Sequence, residues 1–234
     1  MTRTDLIRVG GLVPLTTIDY PDHLSCVLFC QGCAWRCHYC HNPDLIPPTG
    51  ADSIAWSEVL EFLQRRQGLL QAVVFSGGEA TLQPHLAQAM QQVADLGFKI
   101  GLHTAGIKPS ALAQALPWCD WIGFDVKAPQ GAVDSITQVI GSDAANWDSL
   151  RLLLDSGVDY ECRTTVHWDL LNPEQLKLLA AQLAAMGVPR WVIQIAREGN
   201  LLNPQLAANQ QPRELEQLWQ TLGSSFAEFA VREH

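Results

Sequence analysis

The sequence predicts an α/β protein built as a partial (β/α)6 TIM-like barrel, with a short N-terminal hairpin before it and a C-terminal helix and edge strand after it. Three observations point there. Short β-rich runs alternate with helical patterns, the mark of βαβ units and a parallel sheet. Several helical stretches begin on proline or a capping residue and stop near glycine, at Gly97, Gly157 and Gly187. With 234 residues and six such units, the chain falls short of a closed eight-fold barrel, which takes roughly 250 residues.

The elements follow in order. Residues 7–20, rich in Gly and Thr, are expected to form the hairpin. Strands are expected over residues 24–30, 72–76, 98–103, 120–126, 159–166 and 191–195. Helices are expected between them, over residues 56–67, 84–96, 109–116, 146–156 and 173–186. Pro109 and Pro173 stand where a first helical turn tolerates a missing N–H. In the fourth and fifth strands the period of two matters for chemistry. It puts Asp125 and Lys127 on one face, and likewise Glu161, Arg163 and Thr165. Residues 200–212 are polar and read as a loop, residues 213–222 as a last helix and residues 226–231 as an edge strand. No composition break or repeat divides the chain, so residues 1–234 read as a single domain.

Composition narrows the function classes. Apolar residues make up 47% and charged residues 17%, an ordinary globular balance. Twenty-four acidic and 15 basic residues leave a net charge of −9, with no Lys/Arg cluster. Neither nucleic acid nor an anionic membrane surface is an expected partner, because both are held through basic patches. The longest apolar stretches, residues 26–30 and 69–75, are far too short to span a bilayer. Residues 1–12 lack an apolar signal core followed by a cleavage site, so a cytoplasmic location is expected. Five of the seven cysteines fall between residues 26 and 40, which reads as metal binding rather than a disulfide framework.

The string Gln31-Gly32-Cys33-Ala34-Trp35-Arg36-Cys37-His38-Tyr39-Cys40-His41-Asn42-Pro43 carries the chemistry. C-x3-C-x2-C in a loop lets the thiolates of Cys33, Cys37 and Cys40 converge on one small inorganic centre. A [4Fe–4S] cluster normally takes four cysteines, so three leave one iron open to a ligand. Cys26, Cys30 and Cys33 repeat the first spacing. Cys26 and Cys30, however, fall within an expected strand, roughly 12 Å or more apart at about 3.3 Å per residue, and cannot wrap a cluster. The alternative is a Cys3His zinc site with His38 or His41 as fourth ligand. Cys119 and Cys162 read as buried small apolar residues.

C-x3-C-x2-C with an aromatic residue, Tyr39, before the last cysteine resembles the signature of the radical S-adenosylmethionine (radical SAM) superfamily. The longer string through His41 and Asn42 resembles its glycyl-radical-enzyme activating branch. Thr17-Ile18-Asp19-Tyr20-Pro21 is most similar to the anaerobic ribonucleoside-triphosphate reductase activating proteins. The likeness runs from Gly11 to about Arg197. It implies a radical SAM partial barrel with two cofactors, a [4Fe–4S] cluster on Cys33, Cys37 and Cys40 and S-adenosyl-L-methionine. It also implies reductive cleavage of the sulfonium to methionine and a 5′-deoxyadenosyl radical, which takes hydrogen from a backbone Gly of a partner enzyme. The implied partners are a glycyl radical enzyme, here anaerobic ribonucleoside-triphosphate reductase, whose Gly-bearing loop enters the barrel mouth, and a flavodoxin- or ferredoxin-like electron donor. Pyruvate formate-lyase is the runner-up target; a small-molecule substrate, and a zinc or iron–sulfur module without catalysis, are the further alternatives.

The same resemblance assigns the cofactor contacts. Gly77, Gly78 and Glu79 resemble a Gly-Gly-Glu motif that holds the amino group of S-adenosylmethionine; on the residues alone, Gly-Gly is also a simple strand-to-helix turn. Tyr39, His41 and Asn42 would lie near the adenine. Leu102-His103-Thr104-Ala105-Gly106 resembles an Asp-Thr-Asn-Gly motif in which His103 replaces the acid and Ala105 the Asn; Thr104 is retained. That acid in some members helps hold a cation beside the cofactor, and its replacement puts such a cation in doubt here. Asp125 and Lys127 are assigned to the cofactor's polar end, or else form a structural ion pair. Arg163 is a candidate clamp for the methionyl carboxylate, or else pairs with Glu161. Gln194 and Arg197 are weaker candidates.

Overall fold

In the computed structural model, residues 6–50, 53–206 and 208–233 are described. Residues 1–5, part of the stretch read for a leader, lie outside the described residues.

The central strands are apolar on both faces because both faces are covered, as parallel strands require. β1 (Val9–Thr16) is followed by β2 (Ser25–Cys30), β3 (Ala72–Gly77), β4 (Lys99–Thr104), β5 (Trp121–Asp125), β6 (Asp159–Val166), β7 (Arg190–Ile195) and β8 (Glu228–Arg232). They form one eight-stranded sheet in sequence order. β2 to β8 are parallel, and β1 joins the edge antiparallel. Because β1 and β8 are the two ends of that order, the barrel is not closed.

Alternation divides each strand between two compartments. Cys26, Leu28, Val73, Phe75, Ile100, Leu102, Ile122 and Phe124 face outward. They pack beneath α1 (Trp56–Gln64), α2 (Leu86–Asp95), α3 (Pro109–Ala115), α5 (Ser142–Leu154) and α6 (Pro173–Ala185), which bring Val59, Met90, Leu112, Leu150 and Leu179 into the same cluster. Val27, Ala72, Val74 and Trp121 face inward, and Tyr20 joins them from the turn between β1 and β2. α7 (Leu215–Gly223) precedes β8. No described helix is long and apolar enough to cross a membrane.

Two elements differ from expectation. Residues 7–20 do not make a hairpin of their own: they form the single strand β1, and its partner arm is β2, in register from Val9↔Cys30 to Thr16↔Ser25. The glycines that suggested a turn serve a bulge instead. The register shifts between Val9 and Gly11, and a Cβ on Gly10 would collide with the Gln31 side chain. The turn proper lies later, where Asp22 takes a positive φ of 59°. The fourth expected helix, α5, begins at Ser142 rather than at residue 146, and the unexpected α4 (Val133–Thr137) precedes it. Five residues give no readable helical period. Asp134 of α4 accepts from Gly141 N, Asp143 N and Ser142 Oγ, and so holds the start of α5. These bonds, that from the Gly141 amide first, hold its carboxyl below the ordinary aspartate range.

Candidate active site

The site forms where β2 to β6 end, because the loops that leave those ends carry the polar residues. The cysteine loop is fixed by its backbone. Gly32 N and Cys33 N donate to Leu45 O and Ile46 O at 2.8 and 3.0 Å. Arg36 N and His38 N donate to Thr137 O and Ile136 O, which docks the loop on the end of α4. Gln31 Nε2 donates to Asp44 O and Pro47 O, and Gln83 Nε2 donates to Gln31 O at 2.8 Å. With the backbone satisfied in this way, the thiols of Cys33, Cys37 and Cys40 are left to line one cavity of about 190 Å³.

Gly77 and Gly78 dock that loop onto β3. Gly78 N donates to Cys30 O and Glu79 N to Gly32 O, each at 2.9 Å. A Cβ on Gly78 would lie 2.6 Å from Gly32 O and 2.7 Å from Leu45 O, and one on Gly77, at φ +112°, would strike the Cys30 amide. The missing side chains therefore admit the cysteine loop's own backbone. Both glycines also line the cavity.

Glu79 is buried at the cavity wall. Its Oε1 accepts from Thr81 N (3.1 Å), Thr81 Oγ1 (2.6 Å) and Thr104 Oγ1 (2.6 Å), and its Oε2 from Ala105 N (3.1 Å). Burial raises its pKa and these bonds oppose the rise. Asp125 and Lys127 line the same cavity, with Lys127 Nζ 2.7 Å from Asp125 Oδ2. The ammonium also stands 5.8 Å from the centre of the Tyr39 ring, whose buried hydroxyl has no partner among the described residues. Burial lowers the Lys127 pKa, but Asp125 and the other acidic neighbours outweigh it and keep the group charged. His41 and Asn42 complete the wall, and His41 Nε2 accepts from Arg197 N at 3.3 Å. Gln194 and Arg197 line an adjoining cavity that shares His41, Asn42 and Thr165.

Arg163 is not brought to this wall. It is buried beneath it, with Nε 2.7 Å from Glu161 Oε1 and its guanidinium 5.0 Å from the Trp121 ring centre. Glu161 also accepts from Arg232 Nη1 and Nη2 at 2.8 and 3.1 Å. Gly123 leaves the necessary room, since a Cβ there would lie 2.5 Å from Arg163 Cζ.

The sequence places Asn146 at the start of a helix and gives it no role in the site. It is instead a fully buried residue inside α5. Its Nδ2 donates to Ala105 O (2.7 Å) and Asp125 O (2.9 Å), and its Oδ1 accepts from Lys127 N (3.1 Å). One amide thus ties the ends of β4 and β5 together. The available signal was a polar residue in phase with the buried Leu150 and Leu153.

Residues 27–191 match the radical SAM superfamily. The chain belongs to that superfamily. Over 181 residues, 74% of this chain and 73% of the relative, it is 28% identical to MJ1227 of Methanocaldococcus jannaschii, which carries the name of a glycyl-radical enzyme activating enzyme. It is 31% identical over 125 residues to the pyruvate formate-lyase-activating enzyme of Clostridium pasteurianum, across 51% of this chain and 52% of that one. SuiB of Streptococcus suis, solved bound to S-adenosylmethionine, superposes with a TM-score of 0.62 at 13% identity, covering 87% of this chain and 48% of SuiB. The chain thus spans about half the length of these last two proteins.

Radical SAM enzymes use a [4Fe–4S] cluster and S-adenosylmethionine, and the residues present fit both. None of the three motif cysteines is bridged. Among the described residues, no three His, Cys, Asp or Glu side chains draw together tightly enough for a single ion. His38 Nδ1 is engaged by Asn203 at 3.0 Å. Burial pushes the Cys33 thiol up to about 12 and raises that of Cys37, so these groups become thiolates when a metal's charge favours that form. Glu79, with four donors and no cation, suits an ammonium group.

Proposed function

We propose that this chain is a radical SAM activase that installs a glycyl radical on a partner enzyme, and that the partner is anaerobic ribonucleoside-triphosphate reductase. The observation that carries the activase reading is the string Cys33-x3-Cys37-x-Tyr39-Cys40-His41-Asn42, whose named residues line one cavity with Glu79, Asp125 and Lys127. The similarity to MJ1227 over nearly three quarters of the chain supports it. The choice of target rests on Thr17-Ile18-Asp19-Tyr20-Pro21.

When bound, the cluster and cofactor supply the one-electron chemistry; the protein supplies binding, orientation and exclusion of side reactions. Cys33, Cys37 and Cys40 would hold the cluster. Glu79, whose four donors favour the carboxylate against the burial that raises its pKa, would hold the cofactor's ammonium, and Thr104 fixes that carboxylate. Lys127, held by Asp125, presents a positive charge to the same cavity for the methionyl carboxylate. Tyr39, His41 and Asn42 form the side assigned to the adenine. A flavodoxin- or ferredoxin-like protein would deliver the electron, in the cytoplasm.

The test is to mix the reduced protein and S-adenosylmethionine with anaerobic ribonucleoside-triphosphate reductase or with pyruvate formate-lyase and look for the glycyl doublet by electron paramagnetic resonance. A doublet with the reductase supports the reading. A doublet only with pyruvate formate-lyase moves the target, as the likeness to the C. pasteurianum enzyme favours. Formation of 5′-deoxyadenosine with no doublet in either mixture sinks the activase reading.

A further inference from the structure

His103 stands between the cavity and the plug that closes the barrel interior. Tyr20 enters that interior from the turn between β1 and β2 and packs on Trp121 with ring centres 5.3 Å apart. A Cβ on Gly101, two residues before His103, would touch Tyr20 at 3.0 Å. The neighbouring Asp19 presents its carbonyl oxygen 2.8 Å from His103 Nε2. The imidazole also meets Trp121 edge-on and lines the cavity.

The bond to Asp19 decides which ring nitrogen carries hydrogen. A carbonyl oxygen only accepts, so Nε2 is the donor, and in the neutral ring Nδ1 is then an acceptor. Burial first, then the Arg163 guanidinium, hold the pKa well below the ordinary histidine range, so the ring stays neutral. No described residue donates to Nδ1. His103 lines the cavity while its Nε2 is turned to Asp19, which leaves Nδ1 as the ring nitrogen able to meet a molecule held there. The ring is thus anchored on one side and offers an uncharged lone pair on the other.

We propose that His103 Nδ1 accepts a hydrogen bond from an N–H or O–H donor of the molecule held in the cavity, and so fixes that molecule against the barrel floor. This rests on the activase reading above, which supplies two sources for such a donor: the hydroxyl or amino groups of S-adenosylmethionine and the backbone amide of the substrate's glycyl segment.

Two variants separate this contact from the anchor. In His103→Gln the amide nitrogen sits where Nε2 was and keeps the bond to Asp19, but the Nδ1 acceptor is gone. In His103→Asn the amide oxygen sits where Nδ1 was and keeps the acceptor, but the anchor is gone. S-adenosylmethionine affinity is read by equilibrium dialysis on the cluster-loaded enzyme. Affinity for a blocked, Gly-centred synthetic peptide is read by titration in the presence of the cofactor. The expected result is a loss of about tenfold in His103→Gln, as one hydrogen bond is worth, with His103→Asn within about threefold of the parent. A loss in the dialysis arm names the cofactor as donor, and a loss only in the peptide arm names the substrate. Equal losses in both variants, or none in either, overturn the proposal. Parent protein that binds both ligands but yields no glycyl doublet overturns the activase reading and leaves this contact standing.

Discussion

Glu79 receives four hydrogen bonds and, among the described residues, no cation, so a negative charge there has only dipoles to set against the burial that raises its pKa. A bound ammonium would complete it. Glu79→Gln should therefore weaken S-adenosylmethionine by about tenfold or more, the scale of a charge-assisted bond. Equilibrium dialysis decides this, and unchanged affinity would remove Glu79 from the site. Glu161 belongs to a different problem. Burial would raise its pKa, but Arg163 and then Arg232 outweigh that and hold it below the ordinary glutamate range. A depressed folded value means that its contribution is present above the unfolded pKa of about 4.3 and is lost as pH falls through the folded value. Glu161→Gln also leaves Arg163 buried without its anion, so the variant should be less stable at pH 7 by about 3 kcal/mol or more. Urea unfolding should show that gap narrowing as the pH is lowered below about 4. A gap independent of pH would mean that the triad is not what stabilises the barrel floor.

Among the elements, the turn after β3 and the cysteine loop are built against each other. Gly78→Ala would drive a methyl group into Gly32 O and Leu45 O, both backbone atoms that cannot rotate aside. Overpacking of that kind costs about 1–3 kcal/mol. The variant should melt lower and lose visible cluster absorbance, although no ligand is touched; wild-type absorbance and melting would show that the loop can move aside. Asn146→Ala should likewise loosen the ends of β4 and β5 and cost about 1–3 kcal/mol, because three buried backbone groups lose their partner. Thermal melting checks it. These cases mark the limit of what was legible. β6 was readable to the residue, and β2 and β7 to within one, because apolar runs and parity have a fixed period. β1 was not, because glycines at a bulge look like glycines in a turn. α4 was too short to have a period. That Glu79, Asp125 and Lys127 line one cavity follows from their strand-end positions, whereas the placement of Arg163 does not. Parity gives a residue's face, but not the way its side chain leans along the strand: Arg163 is in register with Asp125, yet its guanidinium turns toward Gly123, Trp121 and Glu161.

For the molecule as a whole, an unclosed sheet gathers the polar residues of the site at the ends of β2 to β6. The whole account depends on three thiolates holding a four-iron cluster that still has one iron free for a cofactor. Cys37→Ala should abolish that cluster and, with it, all cleavage of S-adenosylmethionine, since two local thiolates are too few to hold it. The most direct measurement is electron paramagnetic resonance of the anaerobically reconstituted, reduced protein, recorded with and without S-adenosylmethionine and alongside iron and zinc analysis. The account predicts about four irons per chain and a cluster signal that changes shape when the cofactor is added. Stoichiometric zinc without iron, or a cluster signal indifferent to the cofactor, would contradict it.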